Sequence, residues 1–224
     1  MTRSIAVDGP SGAGKSTVGH ALARRIDATF VDTGLMYRAL TLAALEREVD
    51  LEDATALGHL ATACVISVER PTITQTDRLE TVRLEGKDVT HEVRTPQVDR
   101  AVSTVSRHAA VRDAMLGIQR ETALREDVVM VGRDIGTVVL PDATLKVYLT
   151  ADVGVRAHRR ATEMGQPDRV DAYLAEIRRR DDADSQRAVA PLRVPEGAMV
   201  LDTGELDVEA CVDAVVARLG ELGA

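Results

Sequence analysis

The stretch Gly9-Pro10-Ser11-Gly12-Ala13-Gly14-Lys15-Ser16 constrains this chain more than any other. It has the spacing G-x-x-x-x-G-K-[ST], follows the apolar run Ile5-Ala6-Val7, and precedes Val18, Ala21, Leu22 and Ile26 at helical spacing. Strand, loop and amphipathic helix in that order make a P-loop. Its glycines let successive backbone N–H groups turn inward on a concave cradle that a Cβ would obstruct. The helix adds its unpaired N-terminal donors and the positive end of its dipole. Such a cradle binds polyphosphate, with Lys15 expected to reach the β- and γ-phosphates and the Ser16 hydroxyl to hold Mg²⁺.

The rest of the composition fits one α/β domain built around that loop. At 224 residues the chain can bury a full core, and its length suits one unit with an inserted subdomain better than two independent domains. A net charge of −8, no Trp and 2% aromatic residues argue against a nucleic-acid partner, because backbone neutralisation and base-stacking platforms are both missing. The cations are nevertheless distinctive. Of 28, 25 are Arg, the better fork for a bidentate phosphate contact. Cys64 and Cys211 lack metal spacing and read as buried free thiols, and the five His residues share no zinc spacing. No run approaches a membrane span and no signal-peptide pattern opens the chain, so a cytoplasmic protein is expected.

Along the chain, the first helix is expected to end near Ala28, and Thr29-Phe30-Val31 reads as a strand running into Asp32-Thr33-Gly34. A helix follows from about Leu35, with Arg38 in its first turn. Ligands of open parallel sheets bind outside the carboxyl ends of the strands, which points Thr33 and Arg38 at the crevice of the P-loop. From about 51 to 94 the texture changes. A short helix through Leu57 and Leu60, alternation over Cys64–Glu69 and Thr81–Glu85, and a turn at Gly86-Lys87-Asp88 predict a small antiparallel insertion, a mobile flap or clamp set to one side. The polar stretch from Thr72 to Arg78 separates its strands.

Thr95-Pro96 predicts a helix start, with the Thr95 hydroxyl as the cap. A second helix carries Val111, Ala114, Met115 and Ile118, with Arg112 near its start, where a cation opposes the dipole. Val128 to Val131 is a continuous apolar run, hence a buried parallel strand, delivering Gly132-Arg133-Asp134-Ile135-Gly136-Thr137 to the sheet edge. An Arg-Asp pair there is costly to bury unless it is paired or binds something. The next strand, Leu145 to Leu149, leaves no room for a full crossover helix. Helices from Val153 to Arg160 and from about Val170 to Asp182, rich in Arg and broken by Gly165-Gln166-Pro167, read as a lid; a solvated charged hairpin explains less well why acids and arginines alternate through Arg180, Asp184 and Arg187. Ala198 to Leu201 is the last strand, and Val208, Cys211, Val212, Val215 and Leu219 mark the closing helix.

These residues describe a P-loop nucleotide binder with a side clamp, a lid and arginines from separate segments. Phosphoryl transfer to a small acceptor fits that set, because it needs positioning and cations over the developing charge. A regulatory GTPase does not, since the chain contains no Asn for a guanine-reading Asn-Lys-x-Asp segment. A kinase for another small acceptor such as UMP or AMP, and a nucleotide switch without catalysis, remain open at this level.

Four segments narrow the choice: Asp8 to Thr17, Asp32-Thr33-Gly34-Leu35-Met36-Tyr37-Arg38, Gly132 to Ala143, and Arg180-Asp181-Asp182-Ala183-Asp184-Ser185-Gln186-Arg187. In this combination the chain closely resembles the bacterial cytidylate kinase family, nearly end to end. The resemblance implies an α/β nucleoside monophosphate kinase fold: a parallel sheet flanked by helices, with a core of 1–50, 95–152 and 185–224, a monophosphate-binding insertion at about 51–94 and a helical lid at about 153–184. It implies transfer of the ATP γ-phosphoryl group to CMP or dCMP, with Mg²⁺. Separately, no exposed apolar stripe demands a partner, so a monomer without an essential partner protein is expected.

Residue by residue, the resemblance implies ATP binding by Gly9, Pro10, Ser11, Gly12, Ala13, Gly14, Lys15, Ser16 and Thr17, with Arg160 the lid arginine and Arg156 and Arg159 further lid candidates for its phosphates. Arg38 and Arg133 look like clamps on the CMP phosphate, and Thr33 lies near that acceptor. Asp134, Arg112 and Ser103 look like cytosine readers, a carboxylate being the right acceptor for the exocyclic amine. Asp184 and Arg180 would contact the sugar hydroxyls, and Arg187 would bridge acceptor and transferred phosphate. Lys15, Arg133, Arg160 and Arg187 are the expected catalytic set.

Overall fold

The apolar runs become strands and the 3.6-period stretches become helices in the order the sequence predicts. In the computed structural model the chain begins with β1 (Ser4–Asp8), α1 (Lys15–Arg25) and β2 (Thr29–Asp32), followed by α2 (Thr33–Glu46) and α3 (Ala54–Ala63). Then come β3 (Ile66–Glu69), β4 (Thr81–Leu84), β5 (Lys87–Asp88), α4 (Pro96–Ser106) and α5 (Ala109–Arg125). The remainder holds β6 (Val128–Gly132), β7 (Leu145–Thr150), α6 (Val153–Glu163), α7 (Val170–Ser185), β8 (Met199–Asp202) and α8 (Val208–Leu222). The structure describes residues 2–72, 74–75 and 78–223, so part of the expected polar linker from Thr72 to Arg78 lies outside the described residues. Two units are distinguishable, one running up to Thr29 and again from Glu126 onward, the other spanning Phe30–Arg125.

The main sheet has the order β2-β6-β1-β7-β8. β1 pairs in parallel with β6 and β7, and β7 with β8, so Asp8 lies level with Gly132 and Tyr148, and Thr150 with Asp202. All loops leaving these strands therefore emerge from one carboxyl edge. The first unit's core is Ile5, Val7, Val128 to Val131, Val147 and Leu149, capped by Val18 and Leu22 of α1 and by Val212, Val215 and Leu219 of α8. The two cysteines are free and buried, as their apolar neighbours predict. In the second unit β3, β4 and β5 form the antiparallel sheet predicted for the insertion. Its core joins Leu35, Leu40 and Ala43 of α2 to Leu57, Val82, Val105, Val111 and Met115.

Several boundaries differ from the sequence reading for local reasons. α1 stops at Arg25 because Asp27 turns left-handed at φ 54°. α2 begins two residues early, at Thr33, because the Asp32 side chain accepts from the Gly34 N–H. The turn of the small sheet is Glu85-Gly86, which frees Lys87-Asp88 to pair with β4. Thr95 makes no side-chain cap to α4, and its hydroxyl donates instead to the Glu92 carbonyl. Between β6 and β7, where no crossover helix was expected, Ile135–Val139 forms a single π-helical turn.

Candidate active site

The phosphate loop sits on the carboxyl edge of the first unit. A Cβ on Gly9 (φ 152°) would come 2.2 Å from the Leu149 carbonyl oxygen, and one on Gly12 (φ 77°) would come 3.1 Å from the Arg156 Cβ. At these two positions it is the protein's own packing against the loop, not only room for a ligand, that demands glycine. Lys15 is buried, and its Nζ donates to the Pro10 carbonyl at 2.7 Å, so the ammonium lies over its own loop. Ser16 follows in the first turn of α1.

A second cluster in the same unit is organised by Asp184, near the end of α7. Arg133 Nε donates to Asp184 Oδ2 at 2.8 Å, and Arg187 Nη2 donates to Oδ1. Burial of Asp184 pushes its carboxyl up, but the charges of Arg133, Arg187 and Arg180 outweigh it, and the group sits below the usual Asp value. Asp134, directly after Arg133, is buried where the strand ends. Its charge adds to a stronger effect of burial on Asp8, whose carboxyl rises to about 6 even though it accepts backbone N–H bonds from Ile135 and Gly136 at 2.7 Å each.

The arginines of α6 divide. Arg160 pairs with Glu163 at 3.0 Å and, together with Arg180 and Tyr173, lines a cleft beside Ser11 and Gly12. Arg156 and Arg159 face elsewhere. Arg156 is buried, with Nε on the Ala151 carbonyl at 3.0 Å and Nη1 on both the Ser11 carbonyl at 2.9 Å and Asp181 Oδ2 at 2.7 Å. Arg159 donates to the hydroxyl and carbonyl of Thr203 at 2.9 and 2.5 Å. The α6–α7 pair is thus not a simple solvated hairpin.

In the second unit Arg38 is not a solvent-facing cation. Its guanidinium holds the Val93 carbonyl at 3.2 Å and pairs with Asp99 in the first turn of α4. Thr33 is buried at the start of α2, and Ser103 is half-buried on α4. Arg112 is buried; Nη1 donates to the Ser106 carbonyl at 3.2 Å and the guanidinium lies 5.5 Å from the centre of the Tyr37 ring. Those partners offset the unfavourable dipole at the start of α5.

The family model for cytidylate kinase matches residues 5–221. The chain belongs to the cytidylate kinase family. It is 44% identical over 218 residues to the cytidylate kinase of Caldanaerobacter subterraneus subsp. tengcongensis, covering 96% of this chain and 93% of that one. It is 47% identical over 221 residues to that of Exiguobacterium sibiricum, covering 97% and 95%. The solved structure of an uncharacterized protein from Eubacterium ventriosum matches the fold, with a TM-score of 0.54, 13% identity and 99% of each chain covered. Family membership makes this chain a kinase with the α/β nucleoside monophosphate kinase fold that the resemblance implied.

Asp8, Asp99 and Glu80 carry no role from sequence, and Arg156 reads there as a lid residue for ATP. Asp8 had a findable signal, a carboxylate ending the apolar run Ile5-Ala6-Val7, and it holds the π-helical turn after Asp134. Asp99, three residues beyond the start of α4, ties down Arg38, and Arg156 braces the phosphate loop. Glu80 had no signal at all, lying between the polar linker and β4. It is buried, accepts from the Asp32 N–H at 3.1 Å, and is pushed up to about 8 by burial first and the Asp32 charge second.

Proposed function

We propose that this chain transfers the γ-phosphoryl group of ATP to CMP and dCMP, giving CDP and dCDP. The observation that carries the reading is the pairing, on one sheet edge, of a phosphate loop with the Arg133–Asp184–Arg187 cluster, in a chain of the cytidylate kinase family. Gly9 to Thr17 would hold the ATP phosphates with Arg160 over them. Arg38 and Arg133 would clamp the CMP phosphate beside Thr33. Asp134, Arg112 and Ser103 would read cytosine, Asp184 and Arg180 the sugar, and Arg187 would span the two phosphates.

The chemistry asks little of the protein beyond placement and charge. A phosphate monoester with a second pKa near 6 is already a dianion at pH 7, so no base is needed to make the acceptor oxygen nucleophilic. Lys15, Arg133, Arg160 and Arg187 would spread over the charge that develops on the transferred group. Asp8 is poorly suited to proton transfer, because both its oxygens are held by backbone N–H groups. Mg²⁺ fits as an ion that arrives with the nucleotide. Among the described residues no group of three His, Cys, Asp or Glu side chains could hold a metal, and Mg²⁺ binds by few protein ligands plus phosphate oxygens and water. Ser16 would supply one ligand, and the ion would neutralise phosphate charge.

By this reading 51–94 is the monophosphate-binding insertion and 153–184 the lid of a core made by 1–50, 95–152 and 185–224. The enzyme is a cytoplasmic monomer whose partners are small nucleotides; among the described residues no helix is long and apolar enough to cross a membrane. The test is ADP release from Mg-ATP with CMP, dCMP, UMP, AMP, GMP and dTMP supplied separately. Rapid turnover with CMP and dCMP is expected, and Asp134→Ala should impair CMP use far more than ATP binding. Background hydrolysis with every acceptor would overturn the assignment.

A further inference from the structure

Two α6 arginines that the motif reading aims at ATP lie instead behind the phosphate loop, where they meet carbonyl groups. Arg156 Nη1 donates to the Ser11 carbonyl at 2.9 Å, while Nε holds the Ala151 carbonyl and Asp181 anchors the guanidinium at 2.7 Å. Thr203, buried at the exit of β8, donates its hydroxyl proton towards the carbonyls of Ala13 at 3.3 Å and Thr150 at 3.2 Å. Arg159 donates in turn to that hydroxyl at 2.9 Å. A hydroxyl that accepts from a cation is polarised as a donor, so Arg159 strengthens what Thr203 gives to Ala13.

Peptide planarity turns these contacts into a statement about the other side of the loop. The described residues contain no cis peptide, and in a trans peptide the C=O and the following N–H point in opposite directions. Fixing the Ser11 carbonyl from behind aims the Gly12 N–H away from Arg156. Fixing the Ala13 carbonyl likewise aims the Gly14 N–H away from Thr203. These two glycines, both with φ near 78°, have the least intrinsic preference of any residues for where their peptides point.

The geometry points to Arg156 and the Arg159–Thr203 pair as positioning residues that set the peptide dipoles of the phosphate loop, and not as ligands of the ATP phosphates. This rests on the reading of Gly9 to Thr17 as a nucleotide cradle. It also couples α6 and, through Asp181, α7 to that cradle, so a movement of the helical pair would change the aim of the donors.

Thr203→Val tests this, because it keeps the shape, removes no charge and lies behind the loop. Calorimetric titration of the purified protein with ADP and with ATP, without CMP, should show both weakened about tenfold, the effect of misdirecting a charge-assisted set of donors. Thr203→Ser should restore affinity to within about twofold. In turnover the KM for ATP should rise while the KM for CMP stays put. Unchanged ADP affinity in Thr203→Val, with only a lowered melting temperature, would overturn the inference. If that variant does not fold, Arg156→Lys carries the same test: equal weakening of ADP and ATP supports positioning, and loss confined to ATP identifies a direct γ-phosphate contact and overturns it. A parent that binds ADP but phosphorylates no CMP would refute the proposed function alone; one that binds neither nucleotide would remove the cradle and this inference together.

Discussion

Replacing Asp184 with Asn removes one charge from between two arginines and leaves the backbone untouched. Asp184 is 2% exposed and gives one oxygen to Arg133 and the other to Arg187. An amide keeps a single acceptor and turns its N–H₂ towards the second guanidinium, so one charged hydrogen bond is lost and two cations face each other less well screened. Removing one partner of a buried pair costs about 3–5 kcal/mol, and Asp184→Asn should lose stability in that range at pH 7 by urea denaturation followed by circular dichroism. The pH dependence gives the sign. Asp184 lies below its ordinary 3.8 in the fold, so its contribution is present above that value and is lost as pH falls through the lowered one. The parent and variant stabilities should therefore converge in acid. Kinetically, kcat with CMP should fall by at least an order of magnitude while ADP affinity stays within about twofold, since the phosphate loop is not touched. Equal denaturation midpoints at pH 7, or a gap that persists undiminished in acid, would refute the account of Asp184 as the ion that holds Arg133 and Arg187.

Glu80→Gln should stabilise the fold at pH 7 by roughly 2–3 kcal/mol, because the parent must hold near neutrality a group that is ionised when unfolded. A folded value raised from 4.5 to about 8 means parental stability declines as pH rises across that interval, whereas the Gln variant, still able to accept from Asp32 N–H, should not decline there; parallel stability curves would contradict this. Gly9→Ala should cost more than ~3 kcal/mol, since its Cβ would overlap the Leu149 carbonyl, whereas Gly86→Ala, at φ 78° with nothing within 4 Å, should cost about 1–2 kcal/mol. Thermal melts of the two variants side by side separate overlap from backbone strain, and similar losses would show that overlap is not the cause at Gly9.

The amino-acid sequence by itself determined the elements that depend on local pattern. The P-loop, the buried runs of β1 and β6, the small antiparallel sheet and the arginine-rich helices follow from periodicity, glycine placement and turn residues, which act over a few positions. Family membership was legible too, because Gly132 to Ala143 and Arg180 to Arg187 occur in the same chain as the loop. Only the tertiary structure decided which polar atoms meet. Arg156, Arg159 and Arg160 lie within one turn and a half of the same helix and are chemically alike, yet one braces Ser11, one holds Thr203 and one borders the cleft beside the loop. Their directions are set by partners on other elements, Ser11, Ala151 and Asp181 for Arg156 and Thr203 after β8 for Arg159. Glu80 shows the same limit from the other side: its surroundings come from Asp32, far away in sequence, and a buried carboxyl 48 residues from its partner leaves no trace in the local pattern. Burial and charge pairing are sums over the whole fold, and no short window of sequence contains them.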